Sequence, residues 1–206
     1  MIPASILQIR PQSTDLIHLE IQPSDPSYSW KAGQWVDFAV QIGANLHVAG
    51  YSFCSAAGAG RFSLLVRKSK HPVTQWLYTQ AKVRDAVFIG PASGPCFYDP
   101  EKHEEIVCMA GGIGITPMIS MLRTARRLGK KAVLYHSIRY QEDILFEREI
   151  PSTHRFIGER LQFQQLAKRH GPQAHYFFCG PRSFIDDGVI ALQQLEYPNL
   201  HFERWW

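Results

Sequence analysis

Over the first hundred residues apolar and polar side chains alternate in short runs. "SILQIR" and "IHLEIQ" show it, as do "QWVDFAV", with Val36, Phe38 and Val40 on one side, and "RFSLLVR", with Phe62, Leu64 and Val66 on one side. A period of two marks half-buried strands. The turn-forming clusters "QPSDPS", "KAG" and "AAGAG" separate these runs at short intervals, which predicts a small antiparallel β-barrel. One helical stretch, "PVTQWLYTQA", interrupts it and opens at a proline.

From about residue 101 the rhythm changes to strands alternating with helices. "IVCMA" passes through a glycine turn into the helix "MISMLRTARRLG"; "KAVLYHS" reads as a second apolar strand, "QEDILFEREI" as a helix, and "AHYFFCG" as a strand entering another helix. Strand, helix, strand in that order implies a parallel sheet. The polar, proline-containing "YDPEKHEE" is the seam. The expected organisation is therefore a barrel over residues 1–100 followed by an α/β unit over residues 101–206.

The turn "GGIGITPM" at 111–118 carries the first chemical suggestion. Thr116 is a suitable N-cap, and Pro117 suits the first helical position because its missing N–H would be unpaired there anyway. Met118, Met121, Leu122, Ala125 and Leu128 share one helix face, and Gly129 is placed to end the helix. Glycine at 111, 112 and 114 allows a sharp turn and clears side chains from the free N–H groups of the helix start, where a diphosphate binds well. A tight turn alone explains the same residues, because the third glycine of a dinucleotide fingerprint is replaced by Pro117.

Composition narrows the field. The 206 residues are 45% hydrophobic with a net charge of +4, and the positive residues are scattered, which argues against nucleic acid. Cysteines at 54, 96, 108 and 179 are too widely spaced for a metal clamp or an iron–sulfur loop. They read as free thiols of a reducing compartment. No run approaches the roughly 20 apolar residues of a membrane span, and the first residues lack a secretion signal's pattern, so a cytoplasmic protein is expected. The nine histidines show no His-x-His or His-x-x-x-His pair with a carboxylate partner, and no metal site is expected.

Six segments, "GYSFCSA" (50–56), "HPVTQWL" (71–77), "GGIGITPMIS" (111–120), "LYHSIRYQEDILF" (134–146), "FFCGP" (177–181) and "FERWW" (202–206), resemble, in this order, motifs of the ferredoxin-NADP reductase superfamily. "KAGQWVDF" and the terminal "FERWW" look most like the oxidoreductase NAD-binding domain-containing proteins. The resemblance spans nearly the whole chain. It implies a flavin-binding barrel followed by a nicotinamide-dinucleotide domain, passing a hydride from NADH or NADPH to FAD, with FMN the less favoured flavin. Electrons then pass to an external acceptor such as a small redox protein.

The same resemblance assigns residues. Tyr51 lies against the flavin ring and Ser52 near its reacting nitrogen, with Phe53, Cys54, Val66 and Arg67 along the flavin; Thr74 caps the barrel helix toward the flavin diphosphate. Gly111, Gly112, Gly114, Thr116 and Pro117 take the nicotinamide dinucleotide's diphosphate. Ser137 and Arg139 meet its adenosine. Cys179, Gly180 and Pro181 lie by the nicotinamide, Glu203 supplies an acidic group near the reacting centre, Trp205 shields the flavin face opposite Tyr51, and Trp206 touches the adenine or the flavin edge. Ser52, Cys179 and Glu203 are the catalytic candidates, Cys179 not as a nucleophile.

Two departures bear on this. The family's arginine and its first Gly-x-x-Ser glycine are replaced by Ala49 and His71. One phosphate-binding charge is missing, for which Arg67 or Lys68 is a substitute. A non-catalytic binding module or subunit of a redox complex is the alternative reading. The basic group Arg123, Arg126, Arg127, Lys130 and Lys131 reads as a solvated helix face rather than a carrier-docking surface, and residues 151–170 are shorter than the family's pattern.

Overall fold

The computed structural model describes residues 1–203; Trp205 and Trp206 lie outside them. The amino-terminal part holds β1 (Ile2–Pro11), β2 (Leu16–Pro23), β3 (Ser29–Trp30), β4 (Trp35–Ile42), β5 (Asn45–Ser52), β6 (Gly58–Ala59), β7 (Phe62–Arg67), α1 (Pro72–Thr79) and β8 (Ala86–Ser93). Six strands form an antiparallel sheet in the order β5-β4-β8-β1-β2-β7, and β3 pairs with β6. An isolated bridge between Phe53 and Leu64 joins its two outer edges. The alternation read from sequence decides which side faces in: Val36, Phe38, Val40, Phe62, Leu64 and Val66 all enter one core with Ile6, Leu19 and Ile89. Aromatic rings fill its end, Phe53 stacking on Trp30 at 5.2 Å and meeting Phe62 edge-on at 4.9 Å.

The remaining chain forms β9 (Glu105–Gly111), α2 (Ile115–Arg127), β10 (Lys131–Ile138), β11 (Arg155–Ile157), α3 (Phe163–Lys168), β12 (His175–Cys179), α4 (Arg182–Gln193) and β13 (Leu200–Phe202). Its sheet is parallel, in the order β11-β10-β9-β12-β13. Both faces are covered, as an all-parallel sheet requires. Along β9, Ile106, Cys108 and Ala110 point into the α2 side, while Val107 and Met109 point into the core shared with α3 and α4. Among the described residues no helix is long and apolar enough to cross a membrane.

Three local expectations are corrected. The N-cap of α2 is Gly114, and Thr116 lies inside the first turn, its hydroxyl donating to the Ile113 carbonyl at 3.1 Å; a 3-10 turn over Gly112–Gly114 has already aligned the backbone, so no side-chain cap is needed. Pro117 still falls where its missing N–H costs nothing. "QEDILFEREI" is not a helix beyond the 3-10 turn Gln141–Asp143: Ile144 is extended and Phe146 adopts φ +53°, so Leu145 and Ile150 reach the α2 core from an irregular wrap. Leu128 is exposed, because α2 has ended by that residue.

Helix α2 is buried on more than its apolar face, since it lies between the two sheets. Its second face is polar and docks the loop after β5: Ser120 Oγ donates to the Ser55 carbonyl (2.6 Å), Thr124 Oγ1 accepts the Ala57 N–H (2.8 Å), and Arg123 Nη1 donates to the Cys54 carbonyl (2.5 Å). Arg123 also grips Glu149 with two bonds of 2.7 and 2.6 Å and lies over the Phe146 ring. Arg126, Arg127 and Lys130 bond the Glu149 carbonyl, the Ala57 carbonyl and the Glu104 carboxylate. Arg123 is thus an internal clamp, while Arg126, Arg127 and Lys131 stay on the exposed face the sequence predicts. Arg123→Ala is expected to cost about 2 kcal/mol, the worth of lost charge-assisted bonds. Urea unfolding checks this, and a double-mutant cycle with Glu149→Gln should show coupling between the two positions.

Candidate functional site

The glycine turn stands at the carboxyl end of β9, beside the end of β12. Its glycines have different physical reasons. A Cβ on Gly114 would lie 2.3 Å from the Cys179 carbonyl oxygen, and one on Gly180 would lie 3.1 Å from the Gly111 backbone. These positions allow two main chains to touch. Gly112 differs: its φ is +54°, in the region glycine favours, and a Cβ there would meet nothing within 4 Å. Gly112 therefore leaves an open stretch of backbone, which is the feature a phosphate needs.

Under the turn lies His136, on β10. It is fully buried, and its Nε2 donates to the Gly112 carbonyl at 2.9 Å. Burial pushes its pKa down to about 4, so the ring is neutral and holds the turn without adding charge. Sequence reading missed this residue, although a histidine near the end of the apolar strand "KAVLYHS" was the available signal. Beyond it, Ser137 Oγ donates to the Glu159 carbonyl (2.9 Å) and Arg139 is exposed.

The second set of expected site residues comes from β5 and α1. Tyr51 ends β5 with Ser52, and its hydroxyl shares a 3.1 Å hydrogen bond with Thr74 Oγ1. Burial raises the Tyr51 pKa, against the effect of that bond. Thr74 does not cap α1. His71 does: its Nδ1 accepts the Val73 N–H at 3.3 Å, and Pro72 fixes the first helical residue. Phe53, Cys54 and Val66 are wholly buried, main chain included, with the Cys54 thiol raised to about 11 by burial, so the expectation that they lie along a ligand is corrected: they are core residues beneath Tyr51 and Ser52. Arg67 is engaged by Asp15 at 3.2 Å and Asp143 at 3.5 Å. Lys68 instead passes over the Tyr78 ring and lines a cavity of about 380 Å³ with Ser69, Pro72, Gln75 and Trp76.

A third group joins the two sets. Trp35 pairs with Ser52 in the β4–β5 register and hydrogen-bonds Glu203. Gly94, just after β8, sits against both, a Cβ there lying 2.8 Å from the Trp35 ring and 3.3 Å from Glu203 Oε2. Burial raises the Glu203 pKa, partly offset by the indole. The Cys179 thiol is pushed up to about 12 by burial first and the Glu203 charge second, and Cys96 to about 12 by burial and Cys179. Cys179 is therefore a neutral thiol, consistent with a wall residue and not a nucleophile. Pro181 is the N-cap of α4. Trp35 and Cys96 were not singled out from sequence; their signal is contact between distant segments.

Gly114→Ala is expected to lose at least about 2 kcal/mol of stability, since the new methyl meets backbone; Gly112→Ala should lose only about 1 kcal/mol, from its positive φ. Urea unfolding of both variants checks the difference. His136 gives a pH prediction. With its pKa depressed from 6.5 to about 4, its stabilising contribution is full above pH 6.5 and is lost as pH falls toward 4, by roughly 3 kcal/mol. His136→Gln keeps a donor without titrating, so the stability difference between it and wild type should follow this window.

Residues 108–170 match the oxidoreductase NAD-binding domain model. The chain is 26% identical to oxidoreductase NAD-binding domain-containing protein 1 of Xenopus tropicalis, covering 99% of this chain and 79% of that protein. That alignment runs over 251 positions against 206 residues here, so the relative carries segments this chain lacks. Ferredoxin–NADP reductase B of Sorangium cellulosum is 28% identical, with 92% and 77% covered. Among solved structures, the flavohem-like FAD/NAD binding domain of nitric oxide dioxygenase from Vibrio cholerae superposes with a TM-score of 0.85 at 18% identity, covering 99% of this chain and 98% of that one. An antiparallel sheet leading into a parallel one and these matches support the ferredoxin-NADP reductase superfamily.

Proposed function

We propose that this chain is an FAD-dependent NAD(P)H oxidoreductase that takes a hydride from the nicotinamide and passes electrons to an external acceptor. The observation that carries it is the open Gly112 backbone at the carboxyl edge of the parallel sheet, together with Tyr51 and Thr74 joined on the antiparallel unit. The relatives' names, a ferredoxin–NADP reductase and an FAD/NAD binding domain, support the same reading. So does the passage from an antiparallel sheet to a parallel one along the chain, which we take as a flavin unit over 1–100 and a nucleotide unit over 101–206.

On the nucleotide side the residues fit the group. Gly112 puts no side chain in the way of the first turn of α2, whose positive end favours a diphosphate, while its carbonyl is held from below by His136. Arg139 and Ser137, at the end of β10, are the adenosine-side residues, and the choice of NADH or NADPH rests on Arg139. Cys179 and Gly180 form the nicotinamide wall. On the flavin side Tyr51 supplies a ring face, Ser52 a hydroxyl for the reacting edge and Thr74 a second hydroxyl. A bound flavin supplies the exchange between a two-electron donor and one-electron outputs. The protein's part is to hold both partners face to face and exclude water. Trp35 and Glu203 fix the join between the two sides.

The alternative, a non-catalytic module, rests on specific contacts: His71 already occupies one N–H of α1, and Arg67 is committed to two carboxylates. The absorption spectrum of purified protein, followed by anaerobic titration with NADH and with NADPH, separates the readings. A flavin spectrum that bleaches is expected; colourless protein that fails to take up added FAD supports the module. Tyr51→Ala should lose most of the flavin absorbance with an unchanged far-UV circular dichroism spectrum. Full retention would remove Tyr51 from the flavin site.

A further inference from the structure

At the edge of the parallel sheet away from the cleft, three histidines converge from three parts of the chain. His103 belongs to the connection between β8 and β9, His175 opens β12, and His201 lies in β13. Parallel pairing of β12 with β13 sets Phe177 opposite His201, and these two rings stack at 4.4 Å and 15°. One donor nitrogen from each histidine lies within 4.8 Å of the others. His175 Nδ1 and His201 Nε2 share a hydrogen bond of 3.0 Å. Two imidazoles on one tetrahedral ion with bonds of about 2.1 Å have nitrogens roughly 3.4 Å apart, so this pair already stands close to a ligating separation.

We propose that His103, His175 and His201 bind a divalent transition-metal ion of the zinc class, which ties the 94–104 connection to the strands β12 and β13. An all-nitrogen donor set selects Zn²⁺, Ni²⁺, Cu²⁺ or Co²⁺ over the oxygen-preferring Mg²⁺ and Ca²⁺. Burial holds all three rings in the neutral form that carries a lone pair. Two hydrogen bonds must give way to the ion: the one between His175 and His201, whose proton moves to the other nitrogen of its ring, and one at His103. Its Nδ1 now accepts the Asp99 N–H at 3.0 Å, so its proton sits on Nε2, and presenting a lone pair to the ion gives up that bond. The adjustment falls in the 99–103 turn and leaves the sheet intact. Three protein ligands leave one position for water, as in open zinc sites. The inference is independent of any flavin, because the cluster lies at the sheet edge away from the glycine turn.

The test uses tag-free, chelator-stripped protein titrated with Co²⁺. One Co²⁺ per chain, with visible d–d bands that Zn²⁺ abolishes, is expected, together with an upward shift of the melting temperature in Zn²⁺ that chelator reverses. His103→Gln and His201→Gln should each weaken Co²⁺ affinity by more than about tenfold, the loss that even an outer-shell partner's removal can cause; His47→Gln, on β5, should not. Wild-type protein that shows no stoichiometric d–d spectrum overturns the proposal whatever the variants do. So does affinity unchanged in both folded cluster variants.

Discussion

The contact between two main chains at Gly114 and Cys179 governs the position of nearly everything around the cleft. With no Cβ at Gly114, the turn after β9 can settle on the Cys179 carbonyl, as the pairing of Cys179 with Ala110 requires. That fixes where α2 begins and in which direction it runs. The helix then presents Ser120, Arg123 and Thr124 to residues 54–57, immediately after Tyr51 and Ser52. Both sides of the candidate site are thus positioned from one backbone approach.

Much of this was legible in the sequence because it depends on local period. The inward faces of β4 and β7, the change to alternating strands and helices, and the turn-to-helix junction all follow from spacing alone. The glycines were legible as a turn, but their division of labour was not, since crowding at Gly114 comes from residues sixty-odd positions away along the chain. "QEDILFEREI" failed for a related reason. Its apolar residues have helical spacing, yet Leu145 and Ile150 are buried by α2 from outside, and the ion pair of Glu149 with Arg123 rewards the irregular path. Tertiary packing overrode a local preference.

The same argument explains why the histidine cluster is not legible in residue spacing. A metal motif read along a strand or helix needs ligands a few residues apart. Sheet pairing brings His175 and His201 together across 26 residues, and His103 arrives from a connection with no regular structure. Arg123 shows the same limit. In one dimension it belongs with Arg126 and Arg127, which are exposed, but the wrap from 141 to 150 and the loop after β5 bring the Glu149 carboxylate and the Cys54 carbonyl to meet it.

The two departures on the flavin side can be weighed against one another. Ala49 removes a cation from β5, and Arg67 is a poor substitute, because moving it would strip Asp15 and Asp143 of their partner. Lys68 carries no such cost: it lies along the Tyr78 ring and already lines the cavity beside α1. His71 occupies the Val73 N–H through a long 3.3 Å bond from an exposed ring, a contact that a phosphate oxygen can replace with a shorter and charge-assisted one. Phosphate charge would then be met from the α1 side by Lys68 and freed helix N–H groups, in place of an arginine on β5.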